Sequence, residues 1–161
     1  MKILILEDDP ARHKAFRRNL IGNEVIIVEH THEAIQFLEE QDWDALFLDH
    51  DLGGKVYCES GPGTGWEVAE WLSKNEERLP QAVITHSFHD LGRANIIKTL
   101  PIVYDAPGAW VKPLEVIEKA IDSTISEASL RMLDSSMKNF AKGIVSAPID
   151  LDEFKDIIDE N

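Results

Sequence analysis

Cysteine is almost missing from this chain: Cys58 is the only one among 161 residues. A disulfide framework is therefore excluded, and a reducing compartment fits. Cys58 lies in a polar loop with no base partner visible in the sequence, so nothing points to thiol catalysis. Positive charge is scarce too. Sixteen Lys and Arg face thirty Asp and Glu, a formal net charge of −14. Binding to a nucleic-acid backbone needs clustered Lys and Arg, so no DNA binding is expected. No apolar run approaches the roughly 20 residues of a membrane span. The apolar core of Met1 to Glu7 is too short for a signal peptide. A cytoplasmic protein without membrane partners is the expectation.

What is present is a set of short apolar runs, each ending in polar residues. Ala45-Leu46-Phe47-Leu48 stops at Asp49-His50-Asp51 and opens into Leu52-Gly53-Gly54. Such a run suits a strand buried on both faces, as in a parallel sheet. Lys2 to Leu6 is a similar run ending in Glu7-Asp8-Asp9-Pro10, where Asp9 is a good N-cap and Pro10 a good first helical residue. Ala11, Ala15, Phe16 and Leu20 then form one apolar stripe at helical spacing. Glu24 to Val28 reads as a second strand, and Thr31 opens a second helix.

The loop from His50 to Gly63 is unusually long, and loops of that length in compact domains are often functional. Thr64-Gly65-Trp66-Glu67 reads as a capping box at the start of a third helix. Gln81 to Thr85 predicts a fourth strand, ending in His86-Ser87, and a short helix follows over Leu91 to Thr99. Ile102 to Tyr104 and Ala109 to Val111 compete for the fifth strand. From Lys112-Pro113 a last helix holds its phase through Met132. Strands alternating with helices imply right-handed crossovers and a parallel sheet covered on both faces. The expected fold is α/β, a flavodoxin-like doubly wound five-stranded sheet over residues 1–125. Residues 126–161 are expected to form a C-terminal helical extension with an acidic tail. Its apolar positions, Ile144 to Ile158, suit docking on this domain or on a protein partner.

Ligand crevices in doubly wound sheets lie beyond the carboxyl ends of the strands. That edge would gather Glu7, Asp8, Asp49, Asp51, His86, Ser87 and Lys112. Carboxylates crowded together raise one another's pKa unless a cation is present. Oxygen-only ligation suits a hard divalent ion, Mg²⁺ or Mn²⁺. A lysine and a hydroxyl would meet phosphoryl oxygens, and an aspartate beside such an ion can itself attack phosphorus. Histidine titrates near neutrality, which makes His86 a candidate general acid. His50 reads as a loop residue, and His13, His30 and His32 as surface residues. His89 with His86 and Asp51 forms a second, weaker candidate set for a transition metal. Trp110 is placed to contact whatever occupies the site.

At these residues the chain resembles the receiver domain of response regulators. Glu7-Asp8 matches the acidic pair, Asp49 the phosphoacceptor, Ser87 the strand-four hydroxyl and Lys112-Pro113 the Lys-Pro. The resemblance implies phosphorylation of Asp49, with Mg²⁺ held by Glu7, Asp8, Asp49 and the backbone carbonyl of Asp51. The long loop, the extra carboxylate of Asp51, the His86-Ser87 pair and Ala109 in place of an aromatic residue depart from ordinary receivers. Asp49-His50-Asp51-Leu52-Gly53-Gly54, Gly65-Trp66-Glu67-Val68 and His86-Ser87 with Gly92 and Asn95 are more similar to the cyclic-phosphate-processing receivers. That likeness implies metal-dependent hydrolysis of a cyclic or small phosphoester. Asp49 would be nucleophile or metal ligand, Asp51 a metal ligand, His86 the acid, and Ser87 and Lys112 phosphoryl contacts. Two alternatives are a stand-alone receiver taking a phosphoryl group from a donor in a phosphorelay, and a binding module without chemistry.

Overall fold

The computed structural model describes residues 1–100 and 102–141. The acidic C-terminal stretch and its apolar positions from Ile144 to Ile158 lie outside the described residues. The elements alternate in chain order. They are β1 (Lys2–Leu6), α1 (Pro10–Asn19), β2 (Glu24–Val28), α2 (Thr31–Glu40), β3 (Ala45–Leu48), α3 (Gly65–Lys74), β4 (Ala82–Thr85), α4 (Asp90–Thr99), β5 (Tyr104–Asp105) and α5 (Pro113–Ala141). All four strand pairings are parallel, in the order β2-β1-β3-β4-β5. That is the doubly wound, flavodoxin-like order with its switch point between β1 and β3. Among the described residues, no helix is long and apolar enough to cross a membrane. Met1–Ile125 forms one compact unit.

Strand parity decides where the polar strand ends go. Side chains alternate between the faces of a sheet. Ile3, Ile5, Phe47 and Ile84 pack on one face with Phe16 of α1 and Ile117 of α5. Leu4, Leu6, Leu46, Leu48 and Val83 pack on the other with residues of α2, α3 and α4. Leu6 pairs with Leu48, and Leu48 with Thr85. Glu7, Asp49 and His86 are therefore next-door neighbours one residue beyond the paired rows, and they continue the Ile5, Phe47, Ile84 row. Their side chains belong to the α1 face. His50, one residue out of phase, turns toward α3 and α4.

Three local expectations change. β5 is only two residues long, and Ala109–Val111 is a 3₁₀ turn, not a strand. Pro107 has no N–H for a sheet ladder, and Gly108 at φ +80° turns the chain away. The capping box at Thr64 does not form. Glu67 Oε2 instead accepts hydrogen bonds from Thr31 Oγ1 and Gly63 N, both at 2.7 Å. Thr64 Oγ1 donates to the Gly61 carbonyl at 2.8 Å, tying up the end of the long loop. Finally, α5 runs to Ala141, beyond Met132.

Two glycines exist for contact, not for turn geometry. A Cβ on Gly65 would stand 1.9 Å from the Asp49 carbonyl oxygen, and one on Gly92 2.3 Å from the His50 ring. The first clash is with backbone, which cannot swing aside. Gly65→Ala is expected to destabilise the protein by at least about 1–3 kcal/mol, the ordinary range for overpacking. Gly61→Ala, which meets nothing within 4 Å, should lower stability much less. Urea unfolding of the two variants checks this.

Candidate functional site

Glu7 is fully buried at the end of β1. Its Oε1 accepts hydrogen bonds from the N–H groups of Asp8 (3.1 Å) and Asp9 (3.0 Å). Its Oε2 faces His86 Nε2 at 3.0 Å and Arg12 Nη1 at 3.2 Å. Asp49, at the end of β3, receives the same Arg12 Nη1 on Oδ2 at 2.9 Å. One guanidinium nitrogen thus bridges two buried carboxylates. Arg12 stands one turn before Phe16 on α1 and so shares its inward face. The guanidinium carbon lies 4.4 Å from the centroid of the Trp110 ring and 5.6 Å from that of Phe88. These aromatic faces favour the cation and hold its plane.

No sequence expectation included Arg12. A basic residue in the first turn of a helix, aligned with that helix's apolar stripe, was the available signal. Lys112, the cation the sequence suggested, is not brought to the site. Its amine pairs with Glu115 Oε2 at 3.0 Å, and its side chain is 71% exposed. The 3₁₀ turn Ala109–Val111 separates Lys112 from β5, so the short strand does not aim it at the carboxylates.

His86 is also placed differently from expectation. It is fully buried, wedged edge-on against Phe16, Phe47 and Trp110 at 5.5–6.0 Å. It is hydrogen-bonded to Glu7 and is not among the residues that line the cleft. Its Nδ1 has no hydrogen-bond partner among the described residues. His13 is not simply a surface residue, since its Nε2 donates to the Glu7 carbonyl at 2.7 Å.

The cleft has a volume of about 500 Å³, and its walls include Asp8, Arg12, Asp49, Asp51, Ser87 and His89. Asp8 Oδ2 accepts from Gly54 N at 2.7 Å, which pins the long loop over one side. Ser87 lies at the cleft with its Oγ accepting from His89 N at 3.3 Å. The Asp51 carboxylate does not join Glu7 and Asp49. It turns instead to His50, Cys58 and His89 on the opposite wall.

The charges are unevenly balanced. Burial works against ionisation of Glu7, but the hydrogen bond and charge of His86, the Asp9 N–H and Arg12 outweigh it and hold Glu7 below the usual carboxylate range. For Asp49 burial wins, with repulsion from Glu7 added. His86, Ser87 and Arg12 oppose this without cancelling it, and the Asp49 pKa is raised. Arg12 loses solvation by burial, yet Glu7 and Asp49 push its pKa up, so its charge is fixed. His86 and Arg12 both serve the two carboxylates, and Asp49 is left the less satisfied.

Asp49 Oδ1 is buried and, among the described residues, has no partner at full hydrogen-bond geometry, with the Ser87 hydroxyl close enough to oppose the rise of the Asp49 pKa. An anionic oxygen so placed fits a cation or a reacting atom. With Asp8 on the same cleft, the available donors are oxygens, as a hard divalent ion prefers. Ligand atoms of Glu7, Asp49 and His86 lie within 4.8 Å of one another, and Glu7 is already held by two N–H groups, Arg12 and His86.

The model of a family described as "Cyclic-phosphate processing Receiver domain" matches residues 2–101. No curated protein matches the sequence. Among solved structures, the chain is similar to a CheY-like response regulator receiver domain from Methanospirillum hungatei JF-1. The TM-score is 0.59 at 20% identity, covering 78% of this chain and 97% of that one. A response regulator protein from Thermotoga maritima, solved in complex with Mg²⁺ and BeF, gives a TM-score of 0.56 at 20% identity, covering 74% and 99%. The response regulatory domain of mrkE from Klebsiella pneumoniae gives 0.55 at 16%, covering 78% and 99%. At these identities the likeness is one of fold.

A raised pKa for Asp49 means that its charge costs the folded state stability above that pKa. Asp49→Asn is therefore expected to raise the melting temperature by a few degrees at neutral pH. The gain should vanish as pH falls through the folded pKa of Asp49, because the wild-type carboxyl is then neutral as well. Calorimetry of both proteins across acid and neutral pH checks the sign.

Proposed function

The chain belongs to the cyclic-phosphate processing receiver domain family, and on that footing we propose that its cleft binds a cyclic or other small phosphoester and cleaves it at Asp49. The observation that carries this reading is the pairing of Arg12 with Asp49 at the cleft. A guanidinium is the side chain best shaped to meet two phosphoryl oxygens at once. Beside it, Asp49 Oδ1 is, among the described residues, an oxygen with no partner at full hydrogen-bond geometry.

Arg12 draws the phosphoryl group down, and the Trp110 and Phe88 rings keep the guanidinium in place. Asp49 attacks phosphorus as the ester P–O bond breaks, and the leaving oxygen takes up a proton. Water then attacks the phosphorus of the aspartyl ester, returning the carboxylate and releasing the ring-opened phosphomonoester of a cyclic substrate, or inorganic phosphate from a monoester. Ser87 lies beside the phosphoryl position. His86 holds Glu7, and Glu7 in turn holds Arg12. A divalent ion bound by Asp8 and Asp49 would neutralise phosphoryl charge.

Asp49 with Ser87 beside it also supports a second reading, a receiver that keeps its phosphoryl group as a signal. The lack of Lys112 at the site weighs against it as the main one. The two readings separate on one panel. Cyclic nucleotides and RNA ends bearing cyclic phosphates are incubated with the protein and Mg²⁺ or Mn²⁺. Turnover is expected, and Asp49→Asn or Arg12→Ala should each lower it by roughly 10²–10³, the scale for losing a transition-state charge contact. Survival of every substrate, with a stable phosphoryl adduct from acetyl phosphate in intact-mass spectra, would favour the signalling reading instead.

A further inference from the structure

Opposite Arg12, the long loop brings together four groups that the phosphoryl chemistry does not use. Asp51 Oδ1 stands 2.7 Å from His50 Nδ1, 3.0 Å from His89 Nδ1 and 3.1 Å from Cys58 Sγ. The two Nδ1 atoms are 3.2 Å apart. Sγ, Oδ1 and a ligand nitrogen of His50 all lie within 4.8 Å of one another. We infer that His50, Asp51, Cys58 and His89 form a binding site for a borderline-soft divalent ion of the Zn²⁺ or Co²⁺ type, separate from the carboxylates around Arg12.

Three donors converge on the single oxygen Asp51 Oδ1. If both imidazoles donate to Oδ1, their N–H groups confront each other across 3.2 Å. If one is unprotonated, its lone pair faces the carboxylate. A cation at the centre removes either conflict, since all four atoms then point lone pairs at it. With bonds of about 2.0–2.3 Å, tetrahedral ligand atoms sit roughly 3.3–3.7 Å apart, so Asp51 Oδ1 and the two Nδ1 atoms, now 2.7–3.2 Å apart, need spread by only about half an ångström. Mixed nitrogen, sulfur and oxygen donors select Zn²⁺ or Co²⁺ over Mg²⁺.

The surroundings are built for the same purpose. His50 Nε2 meets Ser60 Oγ at 2.9 Å, and Ser60 Oγ accepts from Asn95 Nδ2 at 2.8 Å. An imidazole bound through Nδ1 must carry its proton on Nε2, and Ser60 is there to receive it. Tyr57, at φ +54°, gives its N–H to Asp51 Oδ2 at 2.6 Å. That backbone strain fixes the carboxylate. Gly92 clears the space for the His50 ring. Asp51 and His89 also line the cleft, so the ion would sit in the wall facing Asp49.

Metal-stripped full-length protein titrated with Co²⁺ tests this without any substrate. One equivalent should bind, with intense visible bands of a four-coordinate ion and a near-ultraviolet sulfur-to-cobalt charge-transfer band. Zn²⁺ should displace it and Mg²⁺ should not. Cys58→Ser should abolish the charge-transfer band, and His89→Gln should weaken binding at least tenfold, while Asp49→Asn leaves both unchanged. Weak octahedral cobalt bands, or Zn²⁺ affinity unchanged in both Cys58→Ser and His89→Gln, would overturn the site whatever the hydrolysis panel shows.

Discussion

One guanidinium nitrogen between two buried carboxylates organises this molecule. Glu7 and Asp49 are forced together by parallel register and strand parity, and they cannot both stay ionised in a small apolar space without a counter-charge. Arg12 provides it from the neighbouring helix, while Trp110 and Phe88 cover its face. The rest follows from that constraint. Glu7, with every oxygen satisfied, is a fixed anion that anchors Arg12. Asp49 has one oxygen tied to Arg12 and, among the described residues, one without a hydrogen-bond partner. Removing Arg12 strands buried carboxylate charge, whereas removing the charge of Asp49 leaves Arg12 paired with Glu7.

Parity also separates two kinds of chemistry on one sheet edge. Odd positions in β1 and β3 send Glu7 and Asp49 to the α1 face, where oxygen and guanidinium chemistry collects. His50, one residue on, turns to the α3 and α4 face and meets His89. Asp51 in the loop belongs to that second group. The loop from His50 to Gly63 is the device that turns a plain crossover into a second wall, and Gly65 of α3 and Gly92 of α4 leave room for backbone and imidazole to approach.

The fold was legible because its signals are local. Apolar runs ending in carboxylates, the Asp9-Pro10 cap and the spacing of Phe16 and Leu20 needed no tertiary knowledge, and parallel crossovers left few topologies. The same logic placed Glu7, Asp8, Asp49 and Ser87 on one edge. What escaped depends on geometry at longer range. Arg12 looked like one more surface cation on a helix, and only the depth of the site beside α1 makes it central. Lys112 was misplaced because its position hangs on how Pro107-Gly108 passes from a two-residue strand into a 3₁₀ turn. The depth of His86 was available from parity with Ile84, but a histidine at a strand end draws attention as a catalyst first. The meeting of Cys58 with Asp51 and His89 depends on a loop path that no periodicity encodes.

The most direct measurement of this account is a ¹³C-carboxyl NMR titration of Asp49 in the wild type, Arg12→Ala and Lys112→Ala. The predicted midpoint for the wild type lies above the ordinary aspartate value, rises further in Arg12→Ala and does not move in Lys112→Ala. A midpoint that ignores the loss of Arg12, or that shifts with the loss of Lys112, would contradict the claim that Arg12 is the cation on which the site depends.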